Sequence, residues 1–352
     1  MATLVQAVRL ALHYGETHLG VTDIFGEDVG PPLGGVFTAT QGLETAWNSP
    51  LDERGIIGTA MGLAFAGGRP VVEIQFCDYG FNVIDLFKLA GNNRWSSAGN
   101  YEVPIVVMTP TGSGIRGSLY HSHSFESLAS RLAGWKIVMP SEPLDAYGLM
   151  LSAIADPNPV MVLLPKALLR VKGERLIPGE PEDPEQLKAM IDAPVGDRSQ
   201  WKPKWPDVGE YFVPLGKGEL RREGTTATVI SYGRCLPLCV QAADELTKEL
   251  GVTFDVIDLR SIFPYDWPMI RESVLKTGRI AIVNEDTEVT NFGEHLLRRV
   301  VEEHFYDLLV RPRILQGKHI PGIGLNQVYE QNSVPQLSNV RETMRELVTE
   351  PA

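Results

Sequence analysis

Glu53 opens the most chemically suggestive stretch of the sequence, Ser49-Pro50-Leu51-Asp52-Glu53-Arg54-Gly55-Ile56-Ile57-Gly58. The carboxylate falls at the start of a predicted helix. Gly55, Gly58, Gly62 and Ala66 follow at spacings of three and four. A stripe of small residues admits another backbone or a flat ligand at close range. A carboxylate beside it is a candidate proton carrier, since burial raises a carboxyl pKa. The same Glu in a first helical turn also simply suits the helix dipole. Further on, Glu73-Ile74-Gln75-Phe76-Cys77-Asp78-Tyr79 closes a predicted strand. In open α/β sheets, ligands collect beyond the carboxyl ends of strands. Gln75 would bring an amide there and Tyr79 an aromatic face; ordinary polar residues at a strand end are the alternative. His121 and His123 lie on a glycine-rich loop, where an imidazole is either solvated or, in a cleft, able to exchange a proton near neutral pH.

That loop, Gly112-Ser113-Gly114-Ile115-Arg116-Gly117, matches GxGxxG. Dinucleotide binding needs a helix opening at once behind the glycines and an acid ending the next strand. Ser118-Leu119-Tyr120-His121-Ser122-His123 reads instead as loop, and the next strand ends Val138-Met139-Pro140. A flexible loop is the simpler reading. Cys77, Cys235 and Cys239 are the three cysteines. The odd number argues for a reducing compartment, the cytoplasm. Cys235 and Cys239 sit four apart on a predicted helix with no further ligand at metal spacing, so packing is their expected role.

The elements that must position these groups alternate. Strand patterns run over Val21–Phe25, Val71–Phe76, Pro104–Thr109, Lys136–Met139 and Val160–Leu164, with helical patterns at Glu53–Ala66, Val83–Asn92, Ser124–Leu132 and Leu144–Ala155. Short apolar strands alternating with helices imply a parallel sheet covered on both faces. Leu4, Val5, Val8 and Leu12 predict an amphipathic first helix. From Val171 to Tyr211 six prolines punctuate a charged stretch with one helical pattern near Glu185–Ile191. A connection of about 40 residues is too long for a loop within a domain, so it reads as a linker. Strand patterns resume at Thr226–Ser231, Thr253–Asp258, Arg279–Asn284 and Arg313–Leu315, with helices at Leu236–Leu250, Trp267–Lys276 and Phe292–Phe305.

A chain of 352 residues suits two domains. Lys+Arg total 32 against Asp+Glu 44, a net charge of −12 with no long basic stretch. Nucleic acid and anionic membrane surfaces are therefore poor partners. No apolar run is long enough to cross a bilayer.

Taken in order, Gly26-Glu27-Asp28-Val29-Gly30, Leu51-Asp52-Glu53-x-Gly55-Ile56, Glu73-Ile74-Gln75-Phe76-x-Asp78-Tyr79, Gly114-Ile115-Arg116-Gly117, Leu119-Tyr120-His121-Ser122 and Asp258-Leu259-Arg260 carry a resemblance. The sequence resembles the beta subunit of the thiamine-diphosphate-dependent 2-oxo acid dehydrogenase component, a family with pyruvate, branched-chain and acetoin members. The resemblance covers nearly the whole chain apart from the proline-rich stretch, which looks like an insertion. It implies an α/β fold: a doubly wound parallel-sheet pyrimidine-binding domain (1–170), the proline-rich insertion (171–211), and a smaller α/β domain of transketolase C-terminal type (212–352).

The resemblance also implies roles. Glu53 would hydrogen-bond a ring nitrogen of the cofactor's aminopyrimidine and favour the tautomer that deprotonates the thiazolium carbon. Leu51, Asp52, Gln75 and Tyr79 would line the pyrimidine, with Glu27 a further acid near it. Phe76, Tyr79 and His121 would face the substrate, His121 as acid or base at the substrate and lipoyl end. Carbonyls of Ile105, Ala153, Asp156 and Asn158 resemble a structural potassium site. The reaction would be oxidative decarboxylation of a small 2-oxo acid, with acyl transfer to the lipoyl domain of a transacylase core.

The family's magnesium motif, Gly-Asp-Gly followed later by Asn-Asn, lacks its first half here: Asn92-Asn93 stands alone inside a predicted helix. Magnesium and the diphosphate would then be held by an alpha subunit, in a two-alpha, two-beta tetramer. Leu164 stands before Pro165-Lys166 where relatives often carry Glu, His123 where Gln is common, and Pro321-Gly322-Ile323-Gly324 also departs from typical members. Tyr79 and the Leu119–Ser122 run lean toward the branched-chain type. Rival readings are a non-catalytic partner that keeps the fold, a nicotinamide oxidoreductase using the glycine loop, and a transketolase-type carboligase.

Overall fold

A computed structural model describes residues 1–198 and 200–352. Runs rich in Val, Ile and Leu form two sheets. The first contains β1 (Asp23–Gly26), β2 (Ala46–Asn48), β3 (Pro70–Glu73), β4 (Val106–Thr111), β5 (Lys136–Val138) and β6 (Val160–Pro165). The second contains β7 (Glu219–Arg222), β8 (Ala227–Ser231), β9 (Phe254–Asp258), β11 (Ile280–Thr287) and β12 (Arg313–Gly317); the short β10 (Ser261–Phe263) leaves it to join the first. The orders are β10-β5-β6-β4-β3-β1-β2 and β12-β11-β8-β9-β7. Pairing is parallel except at β10 with β5 and β7 with β9. Every residue of β3, β4, β6, β8 and β9 is buried, as expected when helices cover both faces of a parallel sheet. The α/β class read from the alternation is the one observed.

This topology fixes where chemistry can occur. β1, β3 and β4 are parallel neighbours. Their carboxyl ends run directly into Glu27, Gln75 and the glycine loop after Thr111. β2 lies parallel to β1 and ends at Asn48, so the helix Glu53–Phe65 begins at the same edge. Segments far apart in sequence therefore meet at one crevice.

Helix Leu4–His18 departs from expectation. Thr3 caps it in a reciprocal box with Gln6, yet Leu4 through Leu12 are all buried, Gln6 and Arg9 included. One face packs on helix Pro143–Ala155, itself almost wholly buried. The polar face is covered by the proline-rich segment. Gln6 Nε2 donates to Asp192 Oδ2 (3.1 Å), and Arg9 Nη1 donates to Asp192 Oδ1 (2.8 Å) and to the Ile191 carbonyl (2.5 Å). The helix is amphipathic in sequence, but Gln6 and Arg9 on its polar side meet protein, not water.

That segment is accordingly a docked strap, not a free connection. Its helix Pro184–Ile191 buries Leu187 and Ile191 in the first core. Trp205 stacks on His13 with centroids 4.0 Å apart. The two domains are joined further by a charged knot. Arg260 Nη1 donates to Asp145 Oδ1 at 3.1 Å, while Arg175 and Arg221 reach Glu142 and Glu219. Cys235 and Cys239 are buried on helix Cys235–Leu250 and serve packing. No helix among the described residues is long and apolar enough to cross a membrane.

Candidate active site at the strand ends

Glu53 is the first residue of its helix and is 9% exposed. Its neighbour across the crevice is Glu27, at the end of β1. Burial and then the facing charge of Glu53 push the Glu27 carboxyl up to about 7. Glu27 Oε1 is buried with no hydrogen-bond partner among the described residues. Two carboxyls so placed can share a proton or give one to a ring nitrogen brought between them. Part of the glycine stripe is open as its spacing suggests: Gly58 and Gly62 are exposed, with nothing within 4 Å of where a Cβ would stand, whereas Gly55 is half-buried with Asp52 Oδ2 2.7 Å from that point. Leu51 is 81% exposed and Asp52 is also exposed, so both stand ready to pack against something brought to this edge.

The other wall is aromatic. Tyr79 hydroxyl and His121 Nε2 are hydrogen-bonded at 2.9 Å. Phe76 lies against the His121 ring, centroids 4.2 Å apart, and meets Tyr79 edge-on at 6.1 Å. Tyr79 thus spends its hydroxyl on His121 and offers its ring as wall. Gln75 turns its amide to Asp28, Nε2 to Oδ2 at 2.6 Å. The structure brings Glu27, Glu53, Gln75, Phe76, Tyr79 and His121 to the edge that the strand ends define. After the glycine loop comes only the short turn Ser118–Tyr120, not the α-helix that pyrophosphate binding requires.

Several participants are not evident from residue type and spacing. Glu73 is 3% exposed and accepts from Val36 N–H at 2.5 Å; burial pushes it up to about 8. The only sign in sequence is a lone carboxylate in an apolar run. Val36, Phe37 and Thr38 carry positive φ (33°, 47° and 97°), costly for residues with a Cβ. The loop is held by Glu73 on Val36, by Arg170 on the Phe37 carbonyl (3.0 Å) and by Arg9 on the Thr38 carbonyl (2.7 Å). His123 is engaged elsewhere: its Nδ1 meets Asp78 Oδ1 at 2.6 Å, a contact that raises the imidazole above its usual range. Lys166 is 5% exposed with Nζ unpartnered among the described residues, 5.8 Å from the Phe76 centroid; burial lowers its pKa.

The residues resembling a potassium site lie at the other end of the sheet. The Ile105 carbonyl accepts from Val160 N–H (2.9 Å) and that of Ala153 from Asp156 N–H (3.4 Å). Arg69 reaches the Asp156 carbonyl at 3.4 Å, Lys136 pairs with the Asp156 carboxylate, and Asn158 Nδ2 donates to Asp156 Oδ1 at 2.8 Å. Asn92 and Asn93 lie inside helix Ile84–Ser96, where Asn93 bonds the Leu89 carbonyl. The tightest carboxylate cluster among the described residues, Glu142, Asp145 and Glu219, lies elsewhere and faces the arginines of the interdomain knot. Burial pushes Cys77 and Cys239 up to about 12, so they are thiols.

Comparison with known proteins gives a consistent picture. Residues 11–172 match the family described as transketolase, pyrimidine binding domain, and residues 216–340 that described as transketolase, C-terminal domain. The chain is 34% identical over 350 residues to the 2-oxoisovalerate dehydrogenase subunit beta of Bacillus subtilis (strain 168), covering 97% of each chain. It is 39% identical over 313 residues to the protein of that name from Pseudomonas aeruginosa, covering 87% of this chain and 84% of the other. It is 36% identical over 305 residues to the pyruvate dehydrogenase E1 component subunit beta of Bacillus subtilis (strain 168), covering 85% and 84%. Among solved structures, a chain described as split gene transketolase, inactive beta4 tetramer, superposes over 100% of both chains with a TM-score of 0.69 and 15% identity, a likeness of fold.

Proposed function

The chain belongs to the family of beta subunits of thiamine-dependent 2-oxo acid dehydrogenase E1 components, and on that premise we propose that it supplies the pyrimidine half of an active site for oxidative decarboxylation of a 2-oxo acid. The observation that carries the reading is the Glu27–Glu53 carboxyl pair, with an orphaned buried oxygen, at the carboxyl ends of parallel strands. An amino-substituted nitrogen heterocycle fits that pair, because it brings the donors and acceptors the two carboxyls lack. Thiamine diphosphate, when bound, would supply the electron sink that takes up the bonding pair left behind as the substrate's carboxylate departs as carbon dioxide.

The chain's own groups do the rest. Glu53 would hold a ring nitrogen of the pyrimidine and hold or pass a proton there; Glu27, poised near neutrality, would keep that proton available. Leu51, Asp52, Gln75 and Tyr79 frame the ring. Phe76 and Tyr79 wall the substrate side and exclude water. His121, oriented by the contact of its Nε2 with the Tyr79 hydroxyl, would hold or move a proton at its other ring nitrogen where the acyl fragment meets the lipoyl group.

The diphosphate and its magnesium are assigned to an alpha subunit, since this sequence has no Gly-Asp-Gly. The working unit is then a two-alpha, two-beta tetramer that presents its site to a lipoyl domain. A monovalent cation is assigned to the carbonyls of Ile105, Ala153, Asp156 and Asn158, through lone pairs left after the bonds described above. Residues 1–170 form the pyrimidine-binding domain, 171–211 the insertion and 212–352 the C-terminal domain.

The test is to co-express the chain with the alpha subunit and measure carbon dioxide release from 2-oxoisovalerate and pyruvate with an artificial electron acceptor. Turnover requiring both the alpha chain and thiamine diphosphate, with 2-oxoisovalerate preferred, is expected. An assembled tetramer inert toward every 2-oxo acid supplied would contradict the reading.

A further inference from the structure

A cavity of about 360 Å³ adjoins the site; Asp28, Glu73, Gln75 and Phe76 form part of its wall. Two guanidiniums, Arg170 and Arg198, form another part. Neither is ion-paired among the described residues. Arg170 donates to the Phe37 carbonyl, and Arg198 donates to the carbonyls of Pro194 (3.1 Å) and Pro32 (3.0 Å). Most of the five donors on each guanidinium are left over. Glu73 does not neutralise them, because its carboxyl, pushed up to about 8, is mostly protonated near pH 7. Asp28, held by the Gln75 amide, is one carboxylate facing two guanidiniums in the same wall.

Arg198 reaches this place on the strap, between residues 172 and 216, which neither family match covers. The strap is pinned on both sides of Arg198. Ile191 is buried before it; after it, Lys204 N–H donates to the Met190 carbonyl at 2.7 Å and Trp205 stacks on His13. The insertion thus holds a cation at the rim of a cavity that the rest of the chain builds. A chain of net charge −12 repels an anionic substrate. Two guanidiniums against the single Asp28 carboxylate leave the cavity wall locally positive and raise the capture rate.

We propose that Arg198, aided by Arg170, is the capture site for the carboxylate of the incoming 2-oxo acid, holding the anion at the rim before it moves on to the reacting position. The proposal rests on the decarboxylase reading given above. Contact at the rim precedes chemistry. It raises kcat/KM and leaves kcat alone, since a charge kept on the carboxylate during bond breaking would oppose its release.

The experiment uses the co-expressed alpha–beta enzyme carrying Arg198→Gln or Arg198→Lys, with 2-oxoisovalerate as substrate and salt varied from about 20 to about 300 mM. Arg198→Gln should lower kcat/KM about tenfold through KM, keep kcat within about twofold and flatten the salt dependence. Arg198→Lys should restore most of the loss. Calorimetric titration with 2-oxoisovalerate should show the same order of affinities, and the affinity for thiamine diphosphate should not change. An unchanged KM and salt slope in an active Arg198→Gln enzyme would overturn capture while leaving the decarboxylase reading intact. A fall in alpha–beta assembly on gel filtration without a KM effect would also overturn it, assigning Arg198 to the subunit contact. If the wild-type assembly turned over nothing, equal calorimetric affinities of wild type and Arg198→Gln would overturn it as well.

Discussion

Glu73 shows how burial turns an ordinary carboxylate into a conditional one. Its carboxyl is raised from 4.5 to about 8 by burial, despite the Val36 N–H bond that favours charge. A raised acid means that the folded chain binds protons the unfolded chain has released. The associated stability is therefore fully present below about pH 4.5 and is lost as pH climbs through about 8. Glu27, raised to about 7, acts in the same direction over a narrower window. Thermal melts from pH 5 to 8.5 should fall less steeply for Glu73→Gln than for wild type; parallel curves would refute the assignment. Lys166 gives the converse case. Its ammonium is buried with no hydrogen-bond partner among the described residues, and burial outweighs the nearby acidic groups and the Phe76 ring that favour its charge. Lys166→Met should raise stability by about 1 kcal/mol or more. A comparable loss in urea denaturation would mean that the charge is needed where it lies.

The elements divide by how local their causes are. β3, β4 and β6 and the helices Glu53–Phe65 and Cys235–Leu250 were legible because apolar periodicity and flanking Gly or Pro specify them within a short window. β10 was not: its three residues become a strand only by finding β5 across the domain junction. The first helix shows the same limit, since nothing in Leu4–His18 announces that Asp192 will cover Arg9. The strap looked like a linker because prolines and charges mask two apolar anchors, Leu187 and Ile191. Those anchors give a prediction. Ile191→Ala should cost roughly 2–4 kcal/mol as a buried large-to-small change, and limited proteolysis should then cut between residues 193 and 204. A strap equally resistant in both proteins would show that its docking does not depend on Ile191. Of the site, Gln75 and Tyr79 could be picked out by residue type at a strand end, Glu53 at a helix start and His121 on the glycine loop. Glu73, Asp28 and Arg198 could not, because their roles come from what lies across the crevice.

At the scale of the molecule, the interdomain knot holds the two domains in one arrangement. Asp145 is fully buried and pushed up to about 7 by burial and by Asp258; Arg260 is the guanidinium that opposes this most directly. Arg260→Met would strand that carboxyl and should cost roughly 3–5 kcal/mol, read as a lower denaturation midpoint; an unchanged midpoint would mean that Arg175 and Arg221 suffice. The site itself faces outward, with Leu51 and the glycine face of the Glu53 helix bare, as suits half of an active centre completed by another chain. The most direct measurement is decarboxylation by the co-expressed alpha–beta enzyme carrying Glu53→Gln, with assembly and thiamine diphosphate affinity checked in parallel. The expected result is an assembled tetramer with turnover lowered at least about a hundredfold, in the range of a lost proton-transfer group. Near-wild-type turnover would contradict it.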